Sequence, residues 1–257
     1  TKKVSGDTLK RRDSATIPLE SCDLVWIRTN PGRDRSPGTP RTVLEMLAIA
    51  SRSGVRVVND PVGLMRAASK LYLFELPAEI RPRGIASNDP ETIQAFVEDE
   101  AGPVVIKPVL GTQGTDVYLL EGVADPVYEQ RLATVLASGP ALVQAYVPEA
   151  AEGDTRVHVV HGRILESEGS PCLIRRLPPQ GDFRSNIAIG GRAAAGIPTD
   201  TIRQIVDKAA PVLARDGLFH VGLDVIGSVV VECNVFSAGG LPDAAQFAGR
   251  DFLLPLL

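Results

Sequence analysis

Residues Val221 to Ser237 read VGLDVIGSVVVECNVFS. Two apolar runs flank Gly227-Ser228, a pair suited to a tight turn, so the stretch folds back on itself as a hairpin. Asp224, Glu232 and Asn234 supply its carboxylate and amide oxygens. Side chains alternate between the faces of a strand, so Glu232 and Asn234, two apart, share a face that Asp224 reaches from the partner strand. Cys233 falls on the opposite face. Oxygen donors converging from a rigid hairpin, with no histidine among them, suit a hard cation such as Mg²⁺ and argue against zinc. Taken alone, the stretch fits equally well a buried hairpin whose acids meet solvent.

The rest of the composition narrows the class. The chain has 257 residues, with 27 Lys plus Arg against 31 Asp plus Glu and a net charge of −4. This mildly acidic balance, without a basic block, gives no support for nucleic-acid binding or an anionic membrane surface. No apolar run approaches the ~18 residues of a membrane span. Cys22, Cys172 and Cys233 are odd in number and scattered, which argues against a disulfide framework and fits a reducing cytoplasm. The polar start Thr1-Lys2-Lys3 does not read as a signal peptide, and without an initiator Met the natural chain is expected to begin upstream.

In chain order, residues 1–22 read as a polar loop or strand edge and Asp23–Arg28 as a short strand. The Pro- and Gly-rich run Thr29–Pro40 reads as a surface loop bearing Arg33 and Arg35. A helix over Pro40–Ser53 and a buried strand over Val55–Asn59 complete a right-handed parallel unit. A helix is expected over Pro61–Leu76, carrying Lys70, and a second over Thr92–Glu100. Val104–Pro108, VVIKP, reads as a strand that ends on Lys107, a charge that must find water or an anion. The glycine loop Gly111-Thr-Gln-Gly114 follows, and turned backbone N–H groups of such loops cradle phosphate oxygens. On its own this motif is more often a hairpin turn. Asp116–Leu120 reads as a strand, Val127–Ser138 as a helix, and Leu142–Val147 as a strand whose backbone suits a planar base. Glu152-Gly-Asp-Thr-Arg156 reads as a charged turn entering Val157–Val160. His158 and His161 receive no role. Residues 175–192, RRLPPQGDFRSNIAIGGR, read as a mobile Arg- and Gly-rich loop of the kind that closes over phosphorylated substrates, with a solvated surface loop as the alternative. Thr199–Gly217 is an amphipathic helix.

The ordered set IRTNPG, VVNDPVGLMR, VIKPVLGTQG, GDTR, SNIAIGGR and GLDVIGSVVVECNV resembles the ATP-grasp ligases and, more narrowly, the bacterial glutathione synthetases, from about Asp23 to Phe247. The resemblance implies a mixed α/β (α+β) chain with an ATP-grasp fold. Its expected parts are a partial N-terminal parallel-sheet domain over 1–61, a small lid subdomain over 62–147 and a large subdomain with the metal site over 148–257.

Position by position, the resemblance implies that Lys70 and Lys107 hold ATP phosphates under Gly111 and Gly114. Gln144, Tyr146 and Val147 would meet the adenine. Asp224, Glu232 and Asn234 would carry Mg²⁺, with Mn²⁺ as a substitute. Arg156, Asn186 and Arg192 would serve the transferred phosphoryl group, and Arg28, Arg176 and Ser237 the substrates. The implied chemistry is activation of a carboxylate by the γ-phosphate and attack by an amine, with γ-glutamylcysteine and glycine as the family's pair. The implied partners are small amino-acid or peptide substrates, with homo-oligomerisation a weak expectation. Two segments depart from the family pattern, Arg28-Thr-Asn-Pro-Gly and Phe236-Ser-Ala-Gly-Gly240. A ligase joining a different amino acid to a peptide or metabolite, or an ATP-binding module without turnover, are the alternatives.

Overall fold

A computed structural model describes residues 16–28, 38–111 and 114–256. The reading of residues 1–15, of the loop with Arg33 and Arg35, and of Thr112-Gln113 lies outside the described residues.

The chain begins with a small parallel pair, β1 (Val25–Trp26) beside β2 (Val57–Val58), joined through helix α1 (Thr39–Arg52). Helix α2 (Pro61–Arg66) starts at Asp60, whose carboxylate accepts from Val62 and Gly63 N–H. The helix expected over Pro61–Leu76 is thus two pieces: Ser69 is extended, and its hydroxyl accepts from Leu71 N–H to start a 3₁₀ turn over Lys70–Glu75. Side-chain capping at Ser69 wins over the continued apolar period.

A four-stranded antiparallel sheet follows, in the order β3 (Gly84–Ser87), β6 (Ala141–Ala145), β4 (Val104–Pro108), β5 (Tyr118–Leu120). Helices α3 (Pro90–Asp99) and α4 (Tyr128–Leu136) cover it, and Ile93, Phe96, Val104, Ile106, Leu132 and Val143 form its core. The short β3 has no apolar run to announce it. Asp116 lies before β5, at positive φ.

The larger sheet is built on β7 (Asp154–Val160), with β11 (Leu173–Leu177) and β12 (Arg192–Ala195) on one side and β13 (His220–Ile226) and β14 (Val229–Asn234) on the other. The short β8 (Arg163–Ile164) also pairs with β7, while β9 (Glu166–Ser167) and β10 (Ser170–Pro171) form a separate ribbon. β13 and β14 are the expected hairpin, turning through Gly227 at positive φ. Helix α5 (Asp200–Arg215) packs Ile202, Ile205, Val206 and Leu213 against one face with Val157, Val159 and Leu223. The other face carries the polar side chains, and α6 (Leu241–Ala248) and α7 (Leu253–Leu256) close its far end over Ile174.

Two sequence readings need correction here. Residues 175–177, expected in a mobile loop, belong to β11, and Arg192 opens β12; the prolines at 178 and 179 only end the strand. Asp154 and Arg156, expected in a turn, lie inside β7. Gly153 alone makes that bend, with φ +103 and a position where a β-carbon would fall 2.0 Å from the Arg176 carbonyl oxygen.

The small parallel unit is fastened to the hairpin by Asn59. Its Nδ2 donates to the carbonyls of His220 (2.9 Å) and Val235 (2.8 Å), and its Oδ1 accepts from His220 N–H at 2.7 Å. Among the described residues no helix is long and apolar enough to cross a membrane.

Candidate active site

Strand register assembles the site. Asp224 of β13 lies opposite Glu232 of β14 and opposite Arg156 of β7, and Asp154 of β7 lies opposite Arg176 of β11. Directly opposed residues share a face, so four strands deliver five charged side chains to one surface. Asn234, two beyond Glu232, joins them and donates from Nδ2 to Asp224 Oδ2 at 3.2 Å.

Alternating charges then lock together. Arg156 grips Asp224 with two bonds, Nε to Oδ1 at 2.7 Å and Nη2 to Oδ2 at 2.8 Å. Arg176 grips Asp154 at 2.6 and 2.7 Å and also reaches Asp224 Oδ2 at 2.7 Å. The Ser185 hydroxyl donates to Asp154 as well. Burial alone would raise the Asp224 carboxyl, but the guanidinium groups of Arg156 and Arg176 outweigh it and hold it below the usual carboxylate range. Burial and the nearby Asp224 raise Asp154.

Glu232 differs: its carboxylate accepts no hydrogen bond from the described residues, and burial and the neighbouring Asp224 push it up, against the pull of Lys107 and Lys70. Lys107, at the end of β4, is buried to 8% exposure and held down to about 8, by burial first, with Lys70 adding to it. Its Nζ has one weak acceptor, the Val231 carbonyl at 3.4 Å. Lys70 Nζ donates to Gly111 O at 2.7 Å, which ties it to the glycine loop.

These groups line a cleft between the two sheets, together with Gly114, Gln144, Tyr146, Val147 and Asn186. Ile226 and Val231 of the hairpin and Val105 of β4 supply apolar wall. Tyr146 and Val147 lie just past β6, and Tyr146 N–H is already bonded to the Pro103 carbonyl. The 182–186 segment covers the cleft: Phe183 meets Tyr146 edge-on at 6.1 Å, and Arg184 Nη1 donates to Gly114 O at 3.1 Å. A second cleft adjoins the first, lined by Gly111, Arg156, Asn234, Ser237, Gly239 and Gly240 among others. Lys70, Arg176, Asn186 and Glu232 belong to both clefts and form their common wall.

Fourteen of the expected site residues line one or both of these clefts: Lys70, Lys107, Gly111, Gly114, Gln144, Tyr146, Val147, Arg156, Arg176, Asn186, Asp224, Glu232, Asn234 and Ser237. Two do not. Arg192 is exposed on a separate surface depression beside Pro178 and Gln180, because the β11–β12 register turns it away. Arg28 stands beyond the cleft linings, over Trp26 and against His220. Asp154, Phe183 and Ser185 were not anticipated. For Asp154 a signal existed, since it sits two residues before Arg156 and therefore shares its face.

No trio of His, Cys, Asp and Glu side chains gathers at one point among the described residues. A cation here would rest on two carboxylates and the Asn234 amide. That all-oxygen set, with one carboxylate free of donors, fits a hard divalent ion that keeps its own waters.

The fold that carries these clefts is the ATP-grasp fold. Similar solved structures include an ATP-grasp ligase PsnB complexed with minimal precursor (TM-score 0.63, 22% identity, covering 91% of this chain and 76% of that one). D-cycloserine synthetase DcsG (TM-score 0.61, 20% identity, 92% and 85%) and a D-alanine–D-alanine ligase from Bacillus anthracis (TM-score 0.62, 15% identity, 93% and 79%) share the fold as well. The model of the prokaryotic glutathione synthetase ATP-grasp domain matches residues 69–249, and the chain belongs to that family. Glutathione synthetase of Thermosynechococcus vestitus is 32% identical over 233 residues, 90% of this chain and 70% of that protein. Glutathione synthetase of Coxiella burnetii is 33% identical, with 91% and 71% covered. Against glutathione synthetase of Synechococcus elongatus, 35% identical over 79% of this chain, the match spans 61% of the relative's length.

Proposed function

We propose that this chain is an ATP- and Mg²⁺-dependent carboxylate–amine ligase that forms an amide through an acyl phosphate, with γ-glutamylcysteine and glycine as its substrates. The observation that supports it most is the common wall. A phosphoryl group passing from a nucleotide in the first cleft to a carboxylate in the second must cross between Lys70, Arg176, Asn186 and Glu232. Phosphoryl transfer needs positioning and charge neutralisation more than covalent participation by side chains, and no nucleophilic side chain is required of this site.

In this reading Lys70 and Lys107 bind the phosphates, and Val147 meets the base through its backbone. Asp224, Glu232 and Asn234 would hold Mg²⁺, which lowers the repulsion between triphosphate and entering carboxylate. Arg156 and Asn186 lie beside the transferred group, and Ser237 and Arg176 face the acid. The 182–186 segment, bonded to Gly114, keeps water from the activated acid. The same reading takes small amino-acid or peptide substrates and a cytoplasmic setting.

The test is ADP release with Mg²⁺ and ATP across paired acids and amines. Release that requires both γ-glutamylcysteine and glycine is the expected result. Release with another pair retains the chemistry and replaces the substrates, whereas ATP binding without release under every pair rejects the ligase.

Lys107 gives a second expectation. Lys107→Ala should weaken ATP binding by about 10–100-fold, the worth of a charge-assisted hydrogen bond. Because burial holds this lysine down to about 8 and phosphate would raise it, ATP binding takes up a proton above that pH. Affinity therefore falls as pH rises through 8; calorimetry in buffers of different ionisation heat reads the uptake, and a pH-independent affinity in the wild type excludes the contact.

A further inference from the structure

On the polar face of the large sheet, β13 presents His220, Gly222 and Asp224 in alternation, and His158 of β7 lies opposite Gly222. The gap left by Gly222 is filled by the turn after β14, since a β-carbon there would fall 2.8 Å from Ala238 Cβ. Beside this gap the two imidazoles stack at 5.5 Å and 24°, with His158 Nδ1 3.2 Å from His220 Nε2. His220 Nδ1 in turn lies 3.2 Å from Arg28 Nη1, whose guanidinium rests 5.0 Å over the Trp26 ring. Burial holds His158 down to about 3 and His220 to about 4, so both rings are neutral in ordinary buffers.

A guanidinium only donates, and that fixes both tautomers. His220 must accept from Arg28 at Nδ1, so its proton is on Nε2 and is given to His158 Nδ1. His158 then carries its own proton on Nε2. That N–H is buried and has no acceptor among the described residues. It lies 3.9 Å from the place a β-carbon on Gly240 would occupy, under the Gly239-Gly240 turn that lines the second cleft. An unmet buried donor costs about 1–3 kcal/mol, a cost that an apolar residue at 158 would avoid. The same turn is bonded to the site from its other side, through Gly239 O and Arg156 Nη1 at 3.4 Å.

We propose that His220 and His158 are positioning residues: a relay that fixes Arg28 relative to the Gly239-Gly240 turn and holds out an N–H that gains its oxygen acceptor when the second cleft fills. The relay rests on the reading of that cleft as the site of the acid and amine. It couples a residue of the small parallel unit to the substrate wall of the large sheet through two rings that line neither cleft, so the acceptor of the His158 N–H is an oxygen of the Gly239-Gly240 turn as that turn settles on the substrate.

Nitrogen-15 NMR of the ligand-free protein tests the wiring without turnover, and so apart from the ligase reading. Both rings should show the Nε2–H tautomer, and Arg28→Leu should move the ring signals of His220 and His158 together. A proton on Nδ1 of either ring, or a His158 signal indifferent to Arg28→Leu, overturns the relay. Steady-state kinetics tests its purpose. His158→Leu should raise the KM of the acid or amine about tenfold, one hydrogen bond's worth, with the KM for ATP unchanged. His158→Gln, which retains an N–H at its far end, should recover part of that loss. An unaltered KM in His158→Leu, or an equal rise for ATP, overturns the coupling.

Discussion

Glu232→Gln should lower ADP release by about 10²–10³-fold, the loss seen when one preorganised charge contact to a transition state is removed, while the protein stays folded. The two halves of this expectation have one cause. Glu232 accepts no hydrogen bond from the described residues, and burial already opposes its charge, so an amide of the same shape costs the fold little. The same charge is what Mg²⁺, flanked by Lys70 and Lys107, would lose. Turnover measured beside a thermal melt separates the two, and wild-type turnover in the Glu232→Gln variant would remove the hairpin from the metal site.

Arg176→Met should act in the opposite sense, on the fold first. Arg176 is buried between Asp154 and Asp224 and bonds to both. Removing one partner of a buried ion network leaves charge without compensation and costs about 3–5 kcal/mol. In a chain of this size that lowers Tm by roughly 10 °C. Adding Asp154→Asn to Arg176→Met should return part of the loss, because the orphaned charge leaves with it. Urea denaturation of the two single variants and the double one reads the coupling; strict additivity would mean that Arg176 and Asp154 do not depend on each other.

The hairpin was legible from residue order alone. Gly227-Ser228 marks the turn, and strand alternation places Asp224, Glu232 and Asn234 together, as the register of β13 and β14 bears out. Lys107 at the end of an apolar strand and the glycines at 111 and 114 were legible for the same reason, since charge and positive φ leave traces in sequence. The β11 strand was not. Its LIRRL run hides two arginines in a sheet because the partners of Arg176, Asp154 and Asp224, come from strands 22 and 48 residues away. Charge that looks solvated in one dimension is neutralised in three. For His158 the apolar neighbours suggested a structural ring, and the ring is buried, but nothing local announced that His220, 62 residues on, would stack against it.

Asn59 decides which part of the molecule can yield. With three bonds it rivets the β1–β2 unit to the backbone on either side of the hairpin, so those two parts form a single anvil. The four-stranded sheet has a core of its own, sends Val109 and Leu142 into the larger one, and meets the anvil at the cleft through Lys107, the Lys70–Gly111 bond and the Arg184–Gly114 bond. In the proposed reading, a nucleotide that enters by displacing this sheet has to break both side-chain ties across the cleft, Lys70 to Gly111 and Arg184 to Gly114.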